Sequence, residues 1–244
     1  MATAMQAGDG LGEMLNRLAS GGTAPAQSAV AKTLDALRRR IIALDLPPDT
    51  VLSRTELARE YDVSQTPLRE ALQRLEAEGL VEIFPQSRTV VTRIDPAQIH
   101  EAHFLRIAVE AEVLRRLAAT CDEATLNRLT TVVKLQETVA GDPTELLAFQ
   151  ELDEVFHQTL IAAVGQPGLH ALLRARSGHL NRVRRLDMPI DGKIRRILGG
   201  HRAIIAALAA HDPKAAVAAL REHLSQTIDR LDLLRQQYPE YFRA

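Results

Sequence analysis

In QELDEVFHQTL, residues 150–160, Asp153 and His157 stand four residues apart. On an α-helix that spacing puts both side chains on one face. A carboxylate and an imidazole so placed can share a divalent cation, share a hydrogen bond, or form a solvated surface pair. A second set of residues has different chemistry. In SQTPLREALQRLEAEG, Ser64, Gln65, Thr66 and Arg69 fall within the first turns of a helical pattern. Gln can bind adenine through two hydrogen bonds, Arg suits guanine or phosphate, and the hydroxyls serve either as donors or as acceptors. Arg38, Arg54 and Arg59 add cations suited to phosphate, and Arg88 sits in a turn from which it can enter a minor groove.

Both sets need elements to position them. Residues 29–46 carry apolar side chains at helical spacing until LPPD stops the helix; Ser53 then opens a second short helix, and Ser64 or Thr66 caps a third that ends before Gly79. LVEIF and the β-branched TVVTRI read as two strands joined by the turn PQSR. Three helices followed by a β-hairpin make a winged helix-turn-helix, in which the first turn of the third helix faces base edges. Beyond residue 97 only helices are expected, roughly 97–118, 122–139, 143–164, 167–186, 191–210 and 213–236. Pro143, Pro167 and Pro213 mark three of the starts, at positions where a missing N–H costs nothing.

The fold expected is therefore mostly α, an N-terminal winged helix-turn-helix followed by an all-helical antiparallel bundle. The division is a flexible arm over 1–28, the reader over 29–94, and a helical effector-binding and dimerisation domain over 95–244. Composition agrees with a globular chain: 46% of the 244 residues are hydrophobic and 25% charged. Aromatics are 3% with no Trp, which argues against base-stacking platforms for single strands. A formal charge of -1, and ten basic against ten acidic residues from Lys32 to Arg93, leave DNA binding open, because a local patch can do that work. The single Cys121 excludes an intrachain disulfide framework and a multi-cysteine zinc site and suggests a reducing compartment. No apolar run approaches membrane-spanning length, and the first residues lack the pattern of a secretory signal.

The stretch DVSQTPLREALQRLEAEGLVEI resembles the signature of GntR-type bacterial transcription regulators, whose recognition helix and first wing strand share this pattern. The resemblance implies operator contacts from Arg54 or Thr55, Gln65, Thr66, Arg69 and the wing near Arg88, to which the motif's own geometry adds Ser64 and, as a phosphate contact, Arg38. Gln65 stands where the family usually has Arg, Arg54 is shifted by one place, and Ser87 and Thr89 replace the glycines usual around the wing arginine. The helices beyond resemble the FCD effector-binding domain of the FadR-like branch, through Arg106 and Glu110, through DEVFH, and through HRAIIAALAAHDPKAAVAALREHL.

That resemblance implies a metal set of Asp153, His157, His201 and His223. Spacing is consistent with it: His201 and His223 lie eleven residues before and after Asp212, so an antiparallel hairpin capped there brings them level. Three nitrogens and one oxygen suit a divalent transition metal, zinc first and nickel next. A small carboxylate could replace water on such an ion, with Arg106 pairing its acid group and with His179 and Arg182 bordering the pocket; for Arg106 a salt bridge to Glu110 is the equal alternative. The implied protein is a non-enzymatic, cytoplasmic homodimer, nucleoid-associated when bound to a palindromic double-stranded operator, and acting as a repressor released by a small organic or sugar acid. The rivals are a metal-dependent hydrolase, for which no separate general base is evident, and a ligand-independent DNA-binding protein with a structural metal.

Overall fold

The computed structural model describes residues 28–85, 87–190 and 192–243. The N-terminal arm expected over 1–28 lies, apart from Ser28, outside them. Among the described residues no helix is long and apolar enough to cross a membrane.

The reader begins with α1 (Ala29–Ile42), capped by Ser28 Oγ, which accepts from the Ala31 N–H. Helix α2 (Arg54–Glu60) is capped in the same way by Ser53, and α3 (Gln65–Ala77) is the recognition helix. The wing strands β2 (Val81–Ile83) and β3 (Thr89–Val91) pair antiparallel with Val81 opposite Val91. A third strand, β1 (Val51–Leu52), completes the sheet in the order β1-β3-β2. Two strands were expected; β1 has only two residues, too few for an alternating pattern to register. Leu37, Ile41, Leu68, Leu72, Leu75, Leu80 and Val91 fill the core beneath these elements, each almost wholly buried.

The helical part runs through α4 (Pro96–Thr120), α5 (Glu123–Val139), a 3-10 turn at Pro143–Glu145, α6 (Leu146–Ala163), α7 (Pro167–Arg176), α8 (Gly178–Asp187), α9 (Lys193–Ala209), α10 (Pro213–Ile228) and α11 (Leu231–Gln237). The three prolines stand at the starts foreseen, and Asp122, Asp142 and Asp212 each accept from backbone N–H groups of the turn they cap. Two long helices expected from the sequence are each broken. The stretch 167–186 divides at Ser177, and 213–236 divides at residues 229–230. Just past the first break, Gly178 seats α8 closely: a Cβ there would lie 2.7 Å from Leu80 Cδ2.

Two compact units result. One gathers Phe104–Leu173 and Met188–Gln226, with Phe149, Phe156, Leu114 and Leu129 in its core. The other gathers the described residues up to His103, then Arg174–Asp187, and those from Thr227 onward. Helix α8, late in the chain, is thus part of the unit that contains the winged helix.

Candidate functional site

Helix α6 supplies Asp153 and His157 from one face, α9 supplies His201, and α10 supplies His223. Each of the four offers one ligand atom, all within 4.8 Å of one another, and all four residues are buried. The closest approaches are His157 Nε2 to His223 Nε2 at 3.3 Å, and His201 Nε2 to Asp153 Oδ1 at 3.4 Å. His157 Nε2 and His223 Nε2 lie 3.8 and 4.0 Å from Asp153 carboxylate oxygens. The α9–α10 hairpin turns at His211, with φ of 52°, and Asp212, so the symmetric spacing of the two histidines does bring their rings together, at 4.6 Å between centroids.

The donor set fits a transition metal. A tetrahedral ion with bonds of about 2.0–2.1 Å holds its donors roughly 3.3–3.4 Å apart, and the cluster is already close to those separations. The outer ring nitrogens give a second test. His157 Nδ1 lies 2.6 Å from Glu110 Oε2, and His201 Nδ1 lies 2.8 Å from Gln136 Oε1. A proton on each Nδ1, as an oxygen acceptor demands, leaves the Nε2 lone pair facing the centre, the arrangement that metal-bound histidines adopt. His223 is prepared differently. Burial first, then the neighbouring His201 and His157, push its pKa well below the usual imidazole range, so at neutral pH it is an uncharged ligand. Its ring needs the gap left by Gly200, where a Cβ would come 2.7 Å from His223 Nδ1.

Glu110 is nearly fully buried, which opposes its ionisation, but the Arg106 guanidinium and His157 hold its carboxyl down at about 2. Arg106 Nε donates to Glu110 Oε1 at 2.8 Å, so the salt-bridge alternative for Arg106 is realised. Gln136, Gly200 and the Phe156 ring stacked 3.8 Å from that of His201 are functional neighbours that sequence reasoning missed. Only Gly200, beside His201 in LGGHR, left any signal.

The second site is on the reader. Ser64, Gln65, Thr66 and Arg69 are all exposed at the start of α3. Ser64 makes no side-chain capping bond, which leaves its hydroxyl for another acceptor. Thr55 is exposed and Arg54 half-buried at the start of α2, and Arg88 projects from the wing turn with its guanidinium 5.2 Å from the Phe84 ring centroid. Arg38 departs from expectation. It is 6% exposed, its Nε donates to Glu78 Oε2 at 2.8 Å, a second nitrogen meets Glu78 Oε1, and a third reaches Asp35 Oδ1 at 2.6 Å. The fork is spent on joining α1 to the end of α3, and no face remains for a phosphate.

His179 and Arg182 also depart from expectation. Their hydrogen bonds go to the backbone of the winged-helix unit. His179 Nε2 donates to the Gly79 carbonyl at 3.0 Å, and His179 Nδ1 accepts from the Asp95 N–H and from Arg182, both at 2.9 Å. Arg182 donates to the Thr92 carbonyl at 2.6 Å. Burial, reinforced by the Arg182 charge, pushes His179 down to about 3. Its folded value is then below the usual value of about 6.5, and the unfolded chain takes up the proton first as pH falls. This contribution is fully present above about pH 6.5 and is lost as pH falls towards 3. Between pH 7 and pH 4, wild-type stability is expected to fall by about 3 kcal/mol more than that of His179→Gln, as read from urea denaturation. Equal losses in the two proteins would show that His179 is not the group being protonated.

A winged helix with an exposed recognition helix, joined in one chain to a helical bundle that carries a buried ligand cluster, defines the class of two-part DNA-binding regulators. The pattern of the FCD domain matches residues 88–226, and that of the gntR family of bacterial regulatory proteins matches residues 29–91. The chain belongs to the gntR family of bacterial regulatory proteins and carries an FCD domain. It is 37% identical over 206 residues to an HTH-type transcriptional regulator in an unstable DNA locus of Streptomyces ambofaciens, covering 84% of this chain and 86% of that one. It is 29% identical over 218 residues to the HTH-type transcriptional repressor RspR of Escherichia coli K12, covering 89% and 95%. The fold is shared with E. coli McbR/YncC at a TM-score of 0.73 and 20% identity, over 87% of this chain and 100% of that one. The chain is a DNA-binding transcription regulator.

Proposed function

We propose that the chain is a homodimeric repressor whose hold on a palindromic operator is released when a small carboxylate binds a divalent metal, zinc or nickel, at Asp153, His157, His201 and His223. One observation carries this reading: three imidazole nitrogens and a carboxylate converge in a buried centre, with two of the rings aimed by Glu110 and Gln136. When bound, an ion that expands beyond its four protein donors would supply a further coordination position for an acid to occupy. Glu110, Glu154 and Asp153 all act on Arg106, and a divalent ion would offset that negative balance and so ease the approach of an anion. Arg106, held beside the cluster by Glu110, is proposed to meet the acid through its remaining guanidinium nitrogens. The reading is that of a FadR-like regulator, with the functional division near residue 94 and α8 lent to the reader.

On DNA, the proposed contacts are Arg54, Thr55, Ser64, Gln65, Thr66, Arg69 and Arg88. All but Arg54 are exposed, and they lie at the starts of α2 and α3 and on the wing. Two-fold symmetry in the protein matches dyad symmetry in the operator. The Gln65→Ala variant is expected to lose about 1–3 kcal/mol of discrimination at one base pair of each half-site. Unchanged affinities across a set of operator variants would remove Gln65 from the readout.

The test of the whole reading is a gel shift with zinc-loaded protein on the DNA flanking its own gene, titrated with small carboxylic acids at fixed salt. The expected result is a discrete complex released by one acid, with no release when the metal has been stripped by a chelator. A complex that no acid disturbs, although zinc binds tightly, would instead leave the ion as a structural staple.

A further inference from the structure

Helix α8 is split between its place in the chain and its place in the fold. By sequence it lies inside the FCD match, after α6 with Asp153 and His157 and before α9 with His201. By packing it belongs to the unit that contains the recognition helix. The chain therefore leaves the sensor unit at Leu173, contributes one helix to the reader, and returns at Met188.

The seating of that helix is specific. Its first residue, Gly178, lies against Leu80, and Gly79, with φ of +75°, ends the recognition helix where His179 bonds to its carbonyl. Thr92 Oγ1 donates to the same carbonyl at 2.6 Å. His179 and Arg182 then hold the strand-to-helix linker at the Asp95 N–H and the Thr92 carbonyl. At the other end of α8, the buried Asp187 accepts from Arg230 Nε at 2.9 Å. Two ends of the reader, the close of α3 and the exit from the wing, are thus tied to one helix.

The joint is also expensive. Arg182 is completely buried, yet its hydrogen-bond partners are Thr92 and His179, none of them a carboxylate. Among the described residues its Nε has no hydrogen-bond partner. A buried guanidinium without a counter-charge costs several kcal/mol of desolvation that neutral acceptors repay only in part. A contact that is geometrically exact but energetically poor suits an element with two arrangements of similar free energy, as a switch requires.

We propose that α8 is the relay through which occupancy of the metal site is read by the recognition helix, with the His179–Arg182 pair as its breakable joint on Gly79, Thr92 and Asp95. The inference rests on the metal-sensor reading above. It differs from a purely structural role in requiring that zinc be felt at the reader and that the joint carry the signal.

Hydrogen–deuterium exchange on the full chain, with and without zinc, tests it. In wild type, zinc is expected to change exchange over 79–95 and across α8, as well as around His157 and His201. In Arg182→Met the change around His157 and His201 is expected to remain while that over 79–95 is lost. His179→Gln, which keeps a donor and an acceptor at the joint, serves as the milder second variant and should retain part of the response. If zinc binds wild type but leaves 79–95 unmoved, or moves it in Arg182→Met as much as in wild type, the relay is wrong while the metal site stands. If calorimetry finds no zinc binding to wild type, the metal reading and the relay fall together.

Discussion

Replacement of His201 by alanine is expected to weaken zinc binding more than about 100-fold, beyond the roughly 10–100-fold that loss of an outer hydrogen-bond partner costs. His201 is fully buried, and its Nε2 faces Asp153 at 3.4 Å, so its loss removes one of four donors from a centre that no surface group can refill. Gln136 Oε1 loses its ring donor in the same step. Gln136→Leu leaves every donor in place and belongs in the lower range, because it frees the ring without removing it. Zinc competition titrations give both affinities. Stability gives an independent reading: at zinc one hundred times the wild-type dissociation constant, linkage stabilises wild type by about 2.7 kcal/mol and a hundredfold weaker variant by only about 0.4 kcal/mol. The winged helix should stay folded, since its core is a separate cluster of residues. Full zinc occupancy in His201→Ala would dismiss the cluster as the site, whatever the operator response.

The four-residue cluster was legible because each pair obeys a local rule: Asp153 and His157 by the four-residue helical step, His201 and His223 by equal distance from the Asp212 cap. Nothing local joined the two pairs, and family resemblance supplied that step. Glu110 and Gln136 obey no such rule. They reach His157 and His201 from 47 and 65 residues away, and a polar residue on a helix bears no mark of the partner it will meet. The bundle's helix starts were legible from proline and aspartate, chemistry intrinsic to a helix end. The close seat of Gly178 against Leu80, just past the break at Ser177, is visible only in tertiary packing. Arg38, His179 and Arg182 were misplaced for a shared reason. Their type advertises anion binding, but the side chains are buried against Glu78 or backbone carbonyls, and burial of a charged residue is the one property its sequence neighbourhood least reveals.

Arg38 carries the second large expectation. Truncating one partner of a buried ion pair leaves the other charged and unpaired, and Arg38→Ala is expected to destabilise the winged helix by about 3 kcal/mol, the low end for such pairs because Asp35 stays partly hydrated. Glu78 follows the last turn of α3, so the loss loosens the end of the recognition helix. The double variant Arg38→Met, Glu78→Gln should recover much of the loss, since no bare charge remains, and a double-mutant cycle by urea denaturation measures that coupling. Operator binding then separates a structural arginine from one that holds phosphate. Arg69→Ala is expected to lower the slope of log affinity against log salt by about one, whereas Arg38→Met, assayed at a temperature where it is folded, should keep the wild-type slope. A slope reduced by Arg38→Met under those conditions would return Arg38 to the phosphate contacts and require its bond to Glu78 to open when the operator is bound.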